Sequence, residues 1–551
     1  MLQFIFGILG GTALLMYGVD MMGESLERMS GNMMKNILQR FTGKLWKAFL
    51  AGIFLTAVVQ SSTAISVLSV GFVNSGIMEL SQAIGIIYGA NIGTTITAQF
   101  MALSFSFNLI ELSLPLLALG FVLKITSKTS RIQNVGQAVM GVGFLLLGLM
   151  ILNEGIPYMK ENASIRYFFE TYASNVILGI LIGTLTTALV HSSAATVGIV
   201  ILLGNIGLIS LQTAVILMLG DNIGTSVTAL IASIKGNTNA RRTAWGHALH
   251  NIIGVVIALP FLTLFVRFIE YFTLTFQGST NIQLQIANSH TIFNIIVALI
   301  FLPMNKYFVK LLMTIIKDRE PASGHKVTYI DKLLLDTPVA ALDASLRELQ
   351  RSLQENQDLT ARTFRAIESN TKDSANEVLS MERSAISLQK DLTNYMIELS
   401  KRGLSEAQGI TLPGIIKGAK YLERMAVLSS QLMELQVQRF DKEMFFTEDA
   451  LTELRDLRSI LHEMYEMTCH SLENHGEERF TRIQELDDKM DKATSIYSVN
   501  HVHRLEAGRC TLDASLVYLD MLSTIERISN YLHKISRLCQ YELKGIPAPL
   551  E

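Results

Sequence analysis

GIFLTAVVQSSTA at residues 52–64 and GTLTTALVHSSAA at residues 183–195 are two copies of one segment, 131 positions apart. The same offset carries GANIGTTITA at 89–98 onto GDNIGTSVTA at 220–229, with no gap between. Over 52–98, 18 of 47 positions are identical, so the chain contains an internal duplication. Each copy begins inside an apolar stretch, 46–76 or 177–209, with a polar cluster near its middle: QSST at 60–63 and HSSA at 191–194. A bilayer takes about 20 apolar residues per helix, so each stretch is too long for one span and its halves are too short for two. A re-entrant hairpin, entering and leaving by the same side, fits both.

Outward from the hairpins, apolar stretches predict full spans at about 4–22, 81–103, 106–126, 135–153, 211–233, 245–268 and 287–303. The N-terminal MLQFIFGILGG lacks a basic leader and runs on to Met22, which reads as a first span rather than a cleaved signal. Lys and Arg gather at 28–47, 124–131, 235–242 and 306–317, whereas 154–175 is not basic. With both hairpins re-entrant, the four basic clusters share one side, the cytoplasmic one by the positive-inside rule. The hairpins then enter from opposite faces, which makes the two copies an inverted repeat, a recurrent plan of secondary transporters. Repeat one covers about 1–130 and repeat two about 131–268, with 287–303 as an extra span.

Of 551 residues, 49% are hydrophobic and 17% charged, but the average hides a split. Residues 1–318 hold 17 Lys and Arg against 11 Asp and Glu, about 9% charged. The remaining 233 hold 29 against 37, about 28% and typical of a soluble domain. The split predicts a membrane domain at 1–318, a linker at 319–340 marked by Pro321, Gly324 and Pro338, and a soluble helical domain at 341–551. The net charge of −2 is +6 and −8 in the two halves, without the basic patch that nucleic-acid binding needs. Cys469, Cys510 and Cys539 form no CxxC pair, which argues against a disulfide framework or a zinc site. No nucleophile–base pair or metal-ligand spacing appears in the membrane half, so an enzyme is not expected.

The polar clusters carry the chemistry. A helix starting at Ser62 or Ser193 points free N–H groups and the positive end of its dipole at the break, which suits an anion. Carbonyl ends, hydroxyls and amides suit Na+. The NIGT segments at 91–94 and 222–225 repeat the recipe, in spans expected to unwind there. No Lys or Arg lies in the centre of any predicted span, so helix ends and a co-bound cation must balance an anion. An isolated Ser-Ser pair in a membrane helix reads as packing. Duplication at constant offset with breakage in mid-span favours a binding site instead. Asp221, the one carboxylate deep in a repeat, is either a partnered structural acid or an ion ligand. His191 is either proton-linked or, the preferred reading, a hydrogen-bonding substitute for Gln60. His247 with Asn251, and His290 with Asn294, each share a helix face and read as interhelical hydrogen-bond formers.

QSSTA with GANIGTT, repeated as HSSAA with GDNIGTS, resembles the type II sodium/phosphate cotransporter family in its bacterial form with a PhoU-like tail. The resemblance implies an all-α polytopic membrane protein with inverted repeats, two re-entrant hairpins and a cytoplasmic PhoU-like bundle. It implies Na+-coupled transport of inorganic phosphate across the bacterial inner membrane by alternating access. Phosphate is then expected at Ser61, Ser62, Thr63, Ser192, Ser193, Thr94 and Thr225. Sodium is expected at Gln60, Asn91, Thr95, His191, Asp221, Asn222 and Ser226. No cofactor is expected beyond the coupling ion. Expected partners are phosphate, Na+ and the lipid bilayer, with a homodimer and a cytoplasmic signalling partner further along the same reading. A phosphate efflux protein or a phosphate-responsive membrane regulator is the alternative. This sequence departs from the family at His191, where the second Gln would stand, and at Asp221, opposite Ala90 of repeat one.

In the soluble half apolar residues recur at helical spacing, as at Leu346, Leu349 and Leu353, and predict a bundle. AKYLERMAVL at 419–428 and LSTIERISNYL at 522–532 form a faint duplication. The second, with HVHRLEAGRC at 501–510, resembles the PhoU signature. The usual Asp after the second motif is Asn530, and Val427 stands in the first, so no metal is expected in this domain. The acidic stretch 477–491 reads as a solvated face.

Overall fold

The computed structural model describes residues 2–41, 44–154, 167–234, 236–317, 329–335, 337–473 and 477–548. Half of the predicted linker, with Pro321 and Gly324, most of the loop 154–175, with Lys160 and Arg166, and Lys235 lie outside the described residues. The chain forms two compact units, Met1–Val327 and Thr328–Glu551, and among the described residues every regular element is helical.

In the first unit α1 (Leu2–Phe41) leads into α2 (Leu45–Val59) and α3 (Ser62–Asn74), then α4 (Leu80–Ser106), α5 (Ser113–Thr126) and α6 (Ser130–Glu154). The second copy follows as α7 (Val176–Val190), α8 (Ser193–Asn205) and α9 (Leu211–Ser233). Adding 131 to both bounds of α2 and of α3, and to the first residue of α4, returns the bounds of α7, of α8 and the start of α9. The duplication is therefore one of structure as well as of sequence. The unit closes with α10 (Thr238–Ala258), α11 (Leu262–Gln277) and α12 (Ile282–Ile315).

Among the described residues, six segments are long and apolar enough to cross a membrane: Phe6–Met29, Leu109–Thr126, Ser130–Glu154, Leu211–Ser233, Thr238–Gln277 and Ile282–Ile315. The expected span 81–103 is not among them, although α4 has 27 residues. Ser81, Gln82, Asn91, Thr94, Thr95, Thr97, Gln99 and Ser104 make it too polar, and it is largely buried among other helices instead. The expected span 245–268 is interrupted by a tight turn at Leu259–Phe261, where Pro260 supplies no N–H.

Glycines set the closest packing. A Cβ at Gly52 would stand 2.1 Å from the Ile86 carbonyl oxygen, and one at Gly89 2.0 Å from that of Phe49, so α2 and α4 run antiparallel with backbones touching. The second copy repeats this: Gly183 meets the Leu217 oxygen at 2.1 Å and Gly220 the Ile180 oxygen at 2.2 Å. Gly11 and Gly18 of α1 pack likewise against Gly148 and Gly141 of α6, again antiparallel. Small residues at such crossings let dispersion and Cα–H contacts replace a hydrophobic drive that lipid does not supply. The second limb of each hairpin packs on both polar helices: α3 on α4 and α9, α8 on α9 and α4.

The second unit has α13 (Pro338–Ser369), α14 (Ala375–Ser400), α15 (Glu406–Asp441), α16 (Glu448–Glu473), α17 (Glu477–Glu506) and α18 (Leu512–Gln540). α13–α15 and α16–α18 form two three-helix groups joined through α15 against α18 and α13 against α16. The two Glu-Arg motifs fall on the joining helices α15 and α18.

Candidate functional site

Both hairpins break in the same way. α2 ends at Gln60 with φ 57° and ψ 19°, and α7 ends at His191 with φ 56° and ψ 20°, both left-handed. A non-glycine residue pays about 1 kcal/mol or more for this conformation, so the break is imposed by its surroundings. The next residue, Ser61 or Ser192, is extended and caps the second limb, its Oγ accepting from Ala64 N at 3.2 Å or Ala195 N at 3.3 Å. The cap satisfies one N–H of the first turn, and the N–H groups of Ser62 and Thr63, or of Ser193 and Ala194, have no partner within their own helix. Ser62 and Ser193 are buried at this first turn, whereas His191 is exposed.

The side chain at the break is anchored identically in both copies. Thr97 Oγ1 donates to Gln60 Oε1 at 2.5 Å, and Thr228 Oγ1 lies 3.1 Å from His191 Nδ1. Thr97 and Thr228 are again 131 apart, so the imidazole does the work of the amide. These two threonines belong to the site although the reading of single motifs passed over them. Their identity at the repeat offset was the available signal.

The NIGT segments do not unwind: α4 and α9 run through them as continuous helices. The polar side chains bond to their own helix instead of needing a break. Thr94 donates to the Ala90 carbonyl at 3.0 Å, Thr95 to Ile92 at 2.8 Å, Thr225 to Asn222 at 2.7 Å and Ser226 to Ile223 at 2.7 Å. Asn222 likewise donates to the Met218 carbonyl at 3.1 Å. With their protons committed, these hydroxyls present lone pairs, which face a cation better than an anion. Asn91 and Asn222 are linked across the repeats through α10: Asn91 Nδ2 donates to Asn251 Oδ1 at 2.8 Å, and Asn251 Nδ2 to the Asn222 carbonyl at 2.5 Å. Asn251 thus makes the interhelical bonds expected of it. Asn294 bonds back to the His290 carbonyl of its own helix at 2.9 Å.

Asp221 is fully buried in α9 and its Oδ1 lies 2.7 Å from Thr187 Oγ1 of α7. Thr187 Oγ1 is also 2.9 Å from Thr196 Oγ1 of α8, which donates to the Ser192 carbonyl at the break. Both alternatives for this acid therefore have a footing: it has a partner, and it is tied to the tip.

Residues 14–154 and 158–278 match the family model described as Na+/Pi-cotransporter, and residues 454–539 match the PhoU domain. The chain is 32% identical over 311 residues to "Uncharacterized protein YqeW" of Bacillus subtilis, covering 55% of this chain and 97% of that protein. It is 25% identical over 526 residues to the "Putative inorganic phosphate export protein YjbB" of Escherichia coli, covering 95% of each. It is 30% identical over 138 residues to the human "Sodium-dependent phosphate transport protein 2B", covering 23% of this chain and 20% of that one. No solved structure matches the chain. The chain belongs to the Na+/Pi-cotransporter family and carries a PhoU domain toward its C-terminal end.

Proposed function

We propose that the protein is a Na+-coupled carrier of inorganic phosphate, working by alternating access between two inverted repeats. The observation that carries this reading is the duplicated tip. Two helix N-termini, capped by Ser61 and Ser192 and buried at Ser62 and Ser193, each offer first-turn N–H groups with no partner in their own helix, and neither α3 nor α8 carries a basic side chain. Phosphate with Ser61, Ser62, Thr63, Ser192 and Ser193 receives donors from both ends, and its charge calls for a cation beside it. Gln60, Asn91, Thr95, His191, Asp221, Asn222 and Ser226, joined by Thr94 and Thr225, supply oxygen or nitrogen lone pairs to that cation. The antiparallel crossing of α1 with α6, the helices that lead the two repeats, supports the inverted arrangement. The PhoU domain on this reading faces the cytoplasm and regulates transport.

Counterflow of labelled phosphate in proteoliposomes, with and without Na+, tests the proposal. Accelerated exchange that requires Na+ supports it, and exchange indifferent to Na+ overturns the coupling. Net export is the second reading, favoured by the similarity to YjbB along 95% of both chains. Alternating access is reversible, so imposed gradients of phosphate and Na+ in the same vesicles decide which direction the protein sustains.

A further inference from the structure

Three buried asparagines, Asn91 of α4, Asn222 of α9 and Asn251 of α10, are joined by bonds whose polarity is fixed at one end. That end is the Asn222 backbone carbonyl, which can only accept a hydrogen bond. Asn251 must therefore turn its NH2 group there, and its Nδ2 stands 2.5 Å from that oxygen. Its Oδ1 is left to face α4, where it too can only accept. Asn91 must answer with its own NH2 group, and its Nδ2 donates at 2.8 Å. The other end of the Asn91 amide, Oδ1, is thereby turned away from Asn251 and has no hydrogen-bond partner among the described residues. One carbonyl thus settles which way both amides point.

The second copy reaches the same orientation by another route. Asn222, the counterpart of Asn91, gives its NH2 group to the Met218 carbonyl one turn back in its own helix, at 3.1 Å. Its Oδ1 is likewise without a partner among the described residues. Ile87 stands 131 residues before Met218, but Asn91 donates to α10 instead of to that carbonyl. Repeat two therefore orients its asparagine from within, whereas repeat one depends on a residue outside the duplicated segments. Nothing returns the service: the position 131 residues before Asn251 is Gly120, whose backbone packs on Gly136 of α6. An amide oxygen can hold a hard cation and an amide NH2 cannot, so the direction of Asn91 decides whether it is a ligand at all. Thr94 and Thr95 beside it have their protons committed to their own helix and need no such partner.

We propose that Asn251 is the positioning residue of the cation site in repeat one: its bond to Asn91 turns an oxygen, not an NH2 group, toward the ion. The identity of the ion as Na+ rests on the carrier reading above, and the orientation rests on the three asparagines. Because Asn251 takes its own direction from the Asn222 carbonyl, the first site is set from the second repeat. Parting α10 from α4 or from α9 frees the Asn91 amide to turn over, which takes an oxygen from the ion.

Equilibrium binding of radioactive Na+ to the purified full-length protein in detergent, read by scintillation proximity, tests this without a transport step. Partners that orient a metal ligand are worth about 10- to 100-fold in affinity. Asn251→Leu, similar in shape and unable to make either bond, is expected to raise the half-saturating Na+ concentration about tenfold. Phosphate affinity at saturating Na+ should stay unchanged, which general damage to the fold would not allow. Asn294→Leu removes an equally buried amide that bonds only within α12, and it should leave Na+ binding unchanged. The decisive comparison is the double variant: in an Asn91→Ala background, Asn251→Leu should have no further effect on Na+. Additive losses in the double variant overturn the proposal, and so does an equal loss in Asn294→Leu. Asn251→Ser, too short to span both partners, gives the same comparisons if the leucine variant does not fold. A wild type that binds no Na+ refutes the sodium coupling and this proposal together. A wild type that binds Na+ no more tightly than Asn251→Leu refutes the role of Asn251 alone.

Discussion

His191 Nδ1 stands 3.1 Å from Thr228 Oγ1, in the position where, 131 residues earlier, Gln60 receives the Thr97 hydroxyl. Two chemically different side chains thus hold the same left-handed break by the same anchor. His191→Gln is therefore expected to be far milder than His191→Val. Gln reproduces the contact made at Gln60. Val loses the anchor and, being β-branched, meets a left-handed backbone it resists, at a cost of roughly 1–2 kcal/mol. Thermal unfolding in detergent should show a clear drop for the Val variant only, and phosphate counterflow should rank the two in the same order.

The helix breaks at Gln60 and His191 were legible because a polar cluster interrupting an apolar stretch is a local signal, and the repeat offset doubled it. Helix bounds that coincide at 131 residues follow from the same fact. The course of α4 and α9 was not legible, since NIGT reads as a break until the partners are known. Thr94, Thr95, Thr225 and Ser226 satisfy their hydroxyls by bonding back to their own helix, so it needs no break to pair them, and Gly93 and Gly224 bring α2 and α7 close. Asn251 was legible as a bridge but not as a bridge between the two NIGT segments, which depends on how three helices meet. The Thr187–Thr196–Asp221 series escaped because Thr196 and Asp221 have no polar counterpart in repeat one and so leave no trace in the duplication.

Gly89 and Gly220 cannot carry a side chain. An added Cβ would fall 2.0 Å from the Phe49 oxygen or 2.2 Å from the Ile180 oxygen, both backbone atoms that do not swing aside. Gly89→Ala and Gly220→Ala are each expected to cost about 2 kcal/mol or more and to lower the yield of folded protein in fluorescence-detected gel filtration. Gly10→Ala is the control: nothing lies within 4 Å of its added Cβ, and alanine favours a helix by up to ~1 kcal/mol.

Ser61 and Ser62 adjoin, yet their substitutions should separate into two kinds of effect. Ser61 Oγ is the cap of α3, so Ser61→Ala should cost about 1 kcal/mol of stability as well as affinity. On the carrier reading, Ser62→Ala and Ser193→Ala remove donors to phosphate and should raise its half-saturating concentration roughly 5- to 30-fold each, with little change in melting temperature. Ser69→Ala controls for the loss of any serine in the hairpin, because its hydroxyl donates to the Ile65 carbonyl of its own helix. Equal effects from Ser69→Ala and Ser62→Ala would show that only packing is being measured.

The PhoU domain contains a buried network whose charge state fixes a pH response. Arg504 holds Glu453 through bonds of 2.9 and 2.6 Å, and Tyr518 and Asn500 donate to the same carboxylate at 2.5 and 3.2 Å. Burial alone pushes the Glu453 carboxyl up, but these bonds outweigh it and hold the group below its ordinary range. His501 stacks on Tyr518 with ring centres 4.3 Å apart, and its Nδ1 is 3.2 Å from Arg504 Nη2. Arginine only donates, so that nitrogen accepts and the neutral ring carries its proton on Nε2, toward Cys510 Sγ at 4.0 Å. Burial first, and then the Arg504 cation, lower the His501 pKa. A group depressed in the folded state stabilises the fold above its unfolded pKa, about 6.5 for histidine, and loses that contribution as pH falls through the folded value. Lowering pH from 7.5 toward 5 should therefore destabilise α16–α18. The imidazole acts first and the Glu453 carboxylate only at more acidic pH, since the unfolded value of glutamate is about 4.3. Hydrogen exchange by mass spectrometry on the whole protein, corrected for intrinsic rates, should show faster opening of these three helices at pH 5.5 than at pH 7.5. His501→Phe keeps the ring on Tyr518 but does not titrate, and it should flatten the response over that interval. An unchanged slope in the variant would place the pH sensitivity in some other group.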